Sequence, residues 1–388
     1  MTAEKSKLVY LDHGATSFPK APGVAKAVGH FLDEIAGNPG RGGHRLTISA
    51  SRAIEESREA VATLLGSDPE RTLLGPGATF WLNTILESTL KPGDRVVLSA
   101  LEHNAVMRPL RLLESRLRLN LHIVEGQPDT GVPTVREIAD AVRSAPTAMV
   151  VLTQASNVSG AVLPVEEIAR TVAPVSVVVD GAQGAGSLAF DFQGSGISAY
   201  ACSGHKGLLG PPGTGVLLLA PGFSVQPLIR GGTGSNSESE EMPSFLPDSL
   251  EAGTPNGAGI AGLGAACKWL EERGVEAIHL LQNELVQRLA DNLRTIKGVD
   301  LHGFRDDAHK TGILSFTVRD RDVGELATLL DRECNIALRA GLHCSPAAHR
   351  RLGTFPAGTL RAGLGPFNTA HDVDVLVNAI REICRMTE

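Results

Sequence analysis

The sequence predicts an α/β protein with a mainly parallel sheet, followed by a smaller C-terminal α+β region. Short apolar runs rich in β-branched residues, such as residues 175–179, are typical of strands buried on both faces. Segments with helical spacing alternate with these runs up to residue 220, which favours parallel strands joined by right-handed crossovers. The alternation ends after an irregular stretch, and we place the domain change near residue 257.

Each element before residue 220 is predicted from its local pattern. Short apolar runs bounded by turn residues predict strands, and apolar residues at intervals of three and four predict helices. The predicted strands cover residues 8–12, 72–74, 95–98, 121–124, 148–153, 175–179, 197–202 and 216–219. The predicted helices cover residues 23–35, 49–65, 135–142 and a segment that begins at Phe80.

The last third of the chain follows a different order of elements. Residues 229–256 are irregular and contain glycines, prolines and an acidic run, and loops of this length are usually functional or lie at an interface. Beyond them we predict helices over residues 259–273, 275–296, 323–332 and 372–384, and strands over residues 312–318, 336–339 and 359–363. This order indicates an α+β region.

Composition and charge exclude several classes of protein. The chain has 388 residues, 42% of them hydrophobic, a net charge of −7 and a pI near 6.0, so we expect no nucleic-acid partner. The N-terminus is polar and has no apolar h-region, so we expect no signal peptide, and no apolar run approaches the ~18 residues of a membrane span. Five cysteines without a CxxC motif argue against disulfides and a cysteine zinc site, and favour a reduced, cytoplasmic protein.

A carboxylate and a lysine follow two successive predicted strands. Asp180 ends the run 175–179, and Lys206 follows the run 197–202. The carboxyl ends of parallel strands meet at one sheet edge, where ligands bind in open α/β folds. This pair suits pyridoxal 5′-phosphate, because a lysine binds its aldehyde and a carboxylate pairs with its pyridine nitrogen. Taken separately, a strand-end aspartate is also common in turns, and a lysine in a Gly-rich loop is commonly a surface charge.

Three further segments place polar residues near the same sheet edge. Glycines lead into Ala78 and Thr79 at the start of a helix, and a helix end with a hydroxyl residue at its N-cap binds anions readily. His103 and Asn157 each follow a predicted strand. Each signal is weak alone, because a simple helix cap or a structural histidine explains it as well.

Two glycine-rich motifs look like nucleotide-binding loops but lack the required context. Residues 210–215 are not followed by the Lys and Ser/Thr of a P-loop, and they precede a strand where a helix is needed. Residues 257–262 fit G-x-G-x-x-G, but no strand comes before them. We therefore expect neither segment to bind a nucleotide.

Taken together, these motifs resemble those of the class V, fold-type I pyridoxal-phosphate enzymes, and among them the cysteine desulfurases of the second subgroup, which includes selenocysteine lyase. The matching motifs lie at residues 10–12, 77–79, 91–94, 102–103, 180–183, 203–206, 253–256, 339–344 and 361. The resemblance implies a mainly parallel, seven-stranded sheet in a large cofactor-binding domain over residues 16–256. It also implies a small α+β domain over residues 1–15 and 257–388, which carries the loop of a sulfur-accepting cysteine.

The resemblance implies a cofactor role for a set of residues around Lys206. Lys206 matches the lysine that binds the cofactor covalently, and Asp180 matches the partner of its pyridine nitrogen. Gln183 matches the donor to the ring hydroxyl, and His103 matches the histidine that stacks on the ring and can act as an acid. The positions that match phosphate contacts are Ala78, Thr79, Ser203 and His205, with Thr254 reaching across from the other subunit of a homodimer.

The resemblance also implies a substrate site and a sulfur site. Asn157 and Arg361 match the groups that bind the substrate carboxylate, Arg339 lies near the substrate, and Cys344 matches the cysteine that takes the sulfur. An arginine suits a carboxylate because its planar fork binds both oxygens. Electropositive neighbours of Cys344, such as His343, favour its thiolate form.

The implied reaction converts L-cysteine to L-alanine, leaves a persulfide on Cys344 and passes the sulfur to a protein acceptor. Selenocysteine lyase, acting on L-selenocysteine, is the close alternative. A transaminase, epimerase or β-lyase of the same class would not need Cys344. A scaffold that only docks sulfur carriers would not need Asp180, His103 and Lys206 together.

Two departures from the family pattern bear on the substrate and the acceptor. Many relatives carry Asn-Ala where His13 and Gly14 stand, and the subgroup often has a second histidine where Leu342 stands. Neither position belongs to the residues that match the cofactor site. The departures therefore leave the predicted cofactor unchanged.

Overall fold

The structure is a computed structural model that describes residues 7–40, 42–236 and 238–385. Residues 1–6, which include most of the polar N-terminus and the start of the predicted small domain, lie outside the described part. Residues 41, 237 and 386–388 also lie outside it.

The elements, in chain order, fall at the following bounds. The strands are β1 (Val9–Tyr10), β2 (Thr72–Gly75), β3 (Arg95–Ser99), β4 (Asn120–Val124), β5 (Met149–Thr153), β6 (Ser176–Asp180), β7 (Ala199–Ser203), β8 (Gly215–Leu219), β9 (Val299–His302), β10 (Ile313–Val318), β11 (Ile336–Ala337), β12 (Arg339–Gly341) and β13 (Thr359–Gly363). The helices are α1 (Val24–His30), α2 (Arg45–Leu65), α3 (Ala78–Thr89), α4 (Asn104–Leu117), α5 (Val135–Ser144), α6 (Val165–Val172), α7 (Phe192–Ser195), α8 (Gly257–Arg273), α9 (Val275–Arg294), α10 (Val323–Cys334), α11 (Pro346–Arg351) and α12 (Ala370–Arg385). A π-helical turn, Phe31–Ile35, continues α1, and Pro69–Arg71 forms a short 3₁₀ helix.

A seven-stranded sheet forms the centre of the fold, in the order β2-β8-β7-β6-β5-β3-β4. The strands from β7 to β4 pair in parallel, which confirms the predicted mainly parallel α/β fold. β8 runs antiparallel to both β7 and β2, so the expectation of a parallel strand is wrong for residues 216–219. The reversal follows because residues 204–214 turn the chain directly back, without the crossover helix that a parallel connection needs.

Helices cover both faces of this sheet, and each strand contributes to two apolar cores. Val177 and Val179 of β6 belong to one core, whereas Val178 belongs to the other. Because both faces of the inner strands β5 to β8 are buried, the central positions of these strands are apolar in succession. The edge strand β4 alternates instead and exposes Asn120 and His122. Burying each such side chain contributes roughly 1.5–3 kcal/mol.

The glycine motif at residues 257–262 lies in α8 and serves helix packing. α8 packs against α1 and α2. A Cβ atom at Gly262 would come within 2.8 Å of the Val28 side chain of α1, and one at Gly264 would overlap Ser57 of α2. The missing side chains therefore allow the close approach of these helices.

The last third of the chain builds a second sheet with the order β12-β13-β10-β9, and all its pairs are antiparallel. β1 pairs in parallel with β11, and Asp12 forms a bridge with Gly363 at the end of β13. A third core, with Leu11, Leu314 and Phe316 among its members, joins the chain start to this region. The division into residues 16–256 and residues 1–15 with 257–388 stays a prediction.

Several elements differ from the sequence predictions. α4 was not predicted, and it contains Pro109, a residue that normally breaks a helix interior. α6, α7, α11 and β9 were also not predicted, and the strand expected over residues 336–339 is divided into β11 and β12. Among the helices in the described part of the chain, none combines the length and apolar character that a bilayer span requires.

Candidate active site

The candidate site lies at the carboxyl edge of the parallel strands. Asp180 is the last residue of β6, and its neighbours in register are Thr153 of β5 and Ala201 of β7. Lys206 follows the end of β7 by three residues. The sheet therefore brings the predicted carboxylate and lysine to one edge, as expected for parallel strands.

Asp180 and Lys206 interact electrostatically. Asp180 is buried, and its Oδ1 accepts the Ala182 N–H at 3.0 Å. Desolvation lowers the pKa of Lys206, and the negative charge of Asp180 opposes this effect only in part. The amine therefore loses its proton more easily than a surface lysine, as a nucleophile or base requires.

His103 forms the N-cap of α4. Its Nδ1 accepts the Ala105 N–H at 3.0 Å, so the neutral ring carries its proton on Nε2. Desolvation lowers the pKa of His103, with the field of Asp180 acting in the opposite direction. A neutral ring with a defined Nε2–H donor is the result.

Glu102 was not predicted as a site residue, although it stands next to His103. It is fully buried between β3 and β5. Its Oε1 accepts from the Ser99 hydroxyl at 2.5 Å and from the Thr153 N–H at 3.0 Å. Oε2 has no partner among the described residues. Desolvation raises the pKa of Glu102 to about 8, so this carboxyl group holds a proton at neutral pH.

The predicted phosphate residues lie around the start of α3 and the loop after β7. The Ala78 N–H donates to the Ser203 Oγ at 3.3 Å, and His205 Nδ1 lies 3.1 Å from the hydroxyl of Thr16. Desolvation lowers the pKa of His205 to about 4. Thr79 is not the helix cap, because Gly77 occupies that position and Thr79 lies within the first turn with an exposed side chain.

Thr254 is not brought to Lys206 within one chain. Its side chain is exposed and lines a cavity of about 660 Å³ together with residues 232–235. Lys206 lines a different and much smaller cavity, with His13, Gly14 and Gln183.

Gln183 connects the cofactor edge to the N-terminal loop. Its Nε2 donates to the Gly14 carbonyl at 2.9 Å. A Cβ atom at Gly14 would lie 3.0 Å from the guanidinium carbon of Arg361, so this departure from the family pattern gives the arginine room. Beside it, His13 is buried, and desolvation lowers its pKa to about 4.

Arg361 is held by groups from distant parts of the chain. It is buried, its Nη2 donates to Asp12 Oδ1 at 3.0 Å, and its Nη1 donates to the Asn157 carbonyl at 2.9 Å. Arg339 donates from Nε to the other oxygen of Asp12 at 3.1 Å. Asp12 was not predicted as a site residue, and its position at the end of the first predicted strand was the available signal.

Cys344 projects from a tight turn over residues 342–345. The Ser345 N–H donates to the Leu342 carbonyl at 2.8 Å, and the central residues His343 and Cys344 have φ angles of 48° and 59°. Two positive φ angles are characteristic of a type I′ turn, and they are strained for residues other than glycine. Cys344 is exposed, whereas His343 and Ser345 are buried.

Asn157 holds this turn from the side of the sheet. Its Nδ2 donates to the His343 carbonyl at 2.7 Å, and its Oδ1 accepts from the Ser345 hydroxyl at 2.6 Å. The Asn104 N–H donates to the Cys344 carbonyl at 2.9 Å. These bonds fix the backbone on both sides of the exposed thiol.

The charges around Cys344 differ from the expectation. Desolvation holds the pKa of His343 far below its usual value, so this ring is neutral and does not favour the thiolate. Cys344 instead acts electrostatically on Lys206 and Arg361, and its negative form raises the pKa of both. Within the described residues, no group of three or more His, Cys, Asp or Glu side chains could hold a metal ion.

Comparison with known proteins confirms the predicted family. The chain belongs to the aminotransferase class-V family, which it matches over residues 9–376. Among curated relatives, it is 34% identical over 396 residues to "Cysteine desulfurase CsdA" of Escherichia coli, covering 96% of this chain and 93% of the relative. It is 31% identical over 386 residues to a "Probable cysteine desulfurase" of Methanothermobacter thermautotrophicus, covering 97% of this chain and 95% of the relative.

A solved structure extends the comparison to the fold. The cysteine desulfurase of Thermococcus onnurineus superposes with a TM-score of 0.92 at 28% identity, covering 98% of this chain and 95% of that chain. The predicted fold-type I architecture is therefore confirmed. The family implies a pyridoxal-phosphate cofactor.

Proposed function

We propose that the protein is a pyridoxal-phosphate-dependent cysteine desulfurase, which converts L-cysteine to L-alanine and carries the released sulfur as a persulfide on Cys344. The observation that supports this most directly is the exposed thiol on a turn that Asn157 fixes at the same sheet edge as Asp180 and Lys206. A transaminase or epimerase would have no use for a thiol held in this way.

The residues at the sheet edge fit the proposed cofactor. Asp180 is buried, and among the described residues its Oδ2 accepts no hydrogen bond, which suits the partner of a pyridinium N–H. The start of α3 and the Ser203 hydroxyl suit a phosphate group, because helix N-termini favour anions. Lys206 would hold the cofactor covalently. When bound, the cofactor would stabilise negative charge at the carbon next to the substrate amine.

The other site residues have proposed roles that follow from their chemistry. Lys206 would move the proton at the substrate α-carbon, since its lowered pKa allows a neutral amine. His103 would lie against the cofactor ring and donate from Nε2, and Gln183 would bind the ring hydroxyl. Arg361, with Arg339 nearby, would bind the substrate carboxylate through its planar fork.

The sulfur step belongs to Cys344. Its thiolate would attack the sulfur of the bound cysteine, so that an S–S bond forms as the C–S bond breaks. The electron pair of the broken bond stays on the β-carbon, which then takes a proton and becomes the methyl group of alanine. Cys344 is left as a persulfide, a covalent intermediate.

The assembly and location of the protein form part of this proposal. A homodimer would bring Thr254 to the phosphate site of the second subunit, and the exposure of Thr254 in one chain supports this role. The five cysteines form no disulfide within the described part of the chain, which supports the proposed reduced, cytoplasmic location. L-selenocysteine remains the alternative substrate.

The test is to measure alanine and sulfide after adding L-cysteine to the purified protein and to locate the extra sulfur by mass spectrometry. We expect it on the peptide that contains Cys344. The variant Cys344→Ala should keep its bound cofactor and lose sulfide release by at least about 10³-fold, as on removing a nucleophile. Sulfide release at the wild-type rate would exclude the proposed step, and Cys202→Ala, a buried cysteine, serves as the control.

A further inference from the structure

A groove beside the Cys344 turn combines an apolar floor with a basic rim. It has a volume of about 590 Å³ and lies between α4, the end of β4 and α11. The floor is formed by Ala100, Met107, Ile123, Pro346 and Ala347. The rim is formed by Arg108, Arg111, Arg350 and Arg351. We call this feature the arginine groove.

The arginine groove opens next to the sulfur-carrying cysteine. Asn104 lines the groove, and its N–H is the donor that binds the Cys344 carbonyl at 2.9 Å. Pro346, two residues after Cys344, begins α11 and forms part of the floor. A molecule in the groove would therefore contact residues that adjoin the Cys344 turn on two sides.

Two of the rim arginines have no carboxylate partner among the described residues. Arg350 is exposed, and its guanidinium lies 4.3 Å from the centroid of the Phe355 ring. Arg108 is exposed and forms no ion pair or hydrogen bond within the described part of the chain. Both can therefore bind an anionic group from another molecule.

The other two rim arginines are partly engaged but leave the groove positive. Arg111 pairs with Glu114 at 2.7 Å, and Arg351 donates to the Glu125 carbonyl at 2.7 Å. Among the residues that line the groove, Glu125 carries a negative charge and the four rim arginines carry positive charges. This local positive charge stands out in a chain whose net charge is −7.

We propose that the arginine groove docks an acidic segment of the protein that accepts sulfur from Cys344. The positive charges of the rim are complementary to the acidic side chains of such a segment. An apolar side chain of the segment, placed between its acidic residues, would pack on the apolar floor of the groove. Such rim charges mainly raise the association rate and its salt dependence. The proposal rests on the proposed desulfurase function and adds the chemistry of the partner.

The sulfur transfer needs only the Cys344 persulfide and a thiol of the acceptor protein. A thiolate of the acceptor attacks the outer sulfur of the Cys344 persulfide, and a new S–S bond forms on the acceptor. The S–S bond to Cys344 breaks, and Cys344 leaves as a thiolate. No external oxidant or reductant is needed.

The experiment compares two synthetic cysteine peptides of equal length, one flanked by Asp and Glu and one flanked by Lys. The protein is first loaded with L-cysteine, and the persulfide on Cys344 is quantified by mass spectrometry. Transfer is then measured per loaded persulfide at several salt concentrations. At low salt we expect the acidic peptide to react at least about tenfold faster, with the difference shrinking as salt screens the charges.

Variants assign the preference to the groove. Arg350→Glu, alone and together with Arg111→Glu, should abolish or reverse the preference for the acidic peptide. Arg319→Glu is the matched control, because it makes the same charge change at an exposed turn outside the groove lining. Arg319→Glu should keep the preference.

The outcomes separate this proposal from the proposed function. No persulfide on the wild-type protein would contradict the desulfurase function itself. Normal loading with equal transfer to both peptides, or an unchanged preference in Arg350→Glu, would overturn the docking proposal. Mercaptosuccinate, a small anionic thiol, is tested as a third sulfur acceptor. If it takes sulfur from the persulfide as fast as the acidic peptide does, the groove binds small anionic thiols, and the proposed protein partner is contradicted.

Discussion

At the scale of single residues, burial decides which groups near Cys344 are charged. His343 and His349 stand close to it in sequence, yet both are buried, and desolvation lowers the pKa of His349 to about 4. Neutral rings do not stabilise a thiolate. Arg361 of β13, which is buried, is a guanidinium that interacts electrostatically with Cys344.

The role proposed for Lys206 can be tested by removing its amine. Lys206→Ala should lose the visible absorbance of a lysine-bound cofactor, and alanine formation should fall at least about 10³-fold. Absorption spectra and alanine assays check both effects. Lys268→Ala, an exposed lysine on α8, should behave as the wild type, and a Lys206→Ala protein that keeps the absorbance would place the cofactor on another lysine.

Glu102 makes the free energy of unfolding depend on pH. Its pKa is about 8 in the folded protein, raised by desolvation from the ordinary 4.5, so between these values the folded state holds a proton that the unfolded state has lost. Stability therefore falls as pH rises through this window, by up to about 1.4 kcal/mol per pH unit.

Glu102→Gln, which keeps the shape of the side chain but does not titrate, tests this dependence. Urea unfolding at pH 6, 7 and 8 (roughly spanning the upper part of the window) should show a shallower decline for the variant than for the wild type. Parallel declines in the two proteins would mean that Glu102 is ionised in the folded state.

At the scale of elements, the Cys344 turn depends on the segment after β5. Asn157 contacts both sides of the turn, so we expect it to position Cys344 whether or not it also binds the substrate carboxylate. Ser345→Ala removes the bond to Asn157 Oδ1 and leaves the Asn157 side chain and its bond to the His343 carbonyl in place. Persulfide formation on Cys344 should slow by about tenfold, the effect of one lost buried hydrogen bond of about 1.4 kcal/mol.

Cofactor absorbance and the KM for cysteine separate positioning from substrate binding. Both should stay unchanged in Ser345→Ala, while the rate of persulfide formation falls. Ser195→Ala in α7, another fully buried serine, is the matched control. If Ser345→Ala forms the persulfide at the wild-type rate and Asn157→Ala has a raised KM, Asn157 only binds the substrate carboxylate, and its proposed role in positioning Cys344 is contradicted.

At the scale of the whole molecule, the site is proposed to need two chains. Light scattering should show a dimer, and Thr254→Arg, which places bulk and charge at an exposed position, should weaken cofactor binding in a homodimer. Mixing this variant with Lys206→Ala should restore alanine formation, because one mixed site then has an intact Lys206 and an intact Thr254. A monomer with full cofactor content, or no recovery on mixing, would contradict the shared site.

The sequence by itself determined the mainly parallel α/β fold, the family, and the strand-end positions of Asp180 and Lys206. These features follow from local apolar patterns, and from the rule that parallel strands end at one edge of the sheet. Only the tertiary structure decided the reversal of β8, the pairing of Asp12 with Arg361, the neutral state of His343 and the hold of Asn157 on the Cys344 turn. Each of these depends on contacts between distant segments or on desolvation, which no local pattern records.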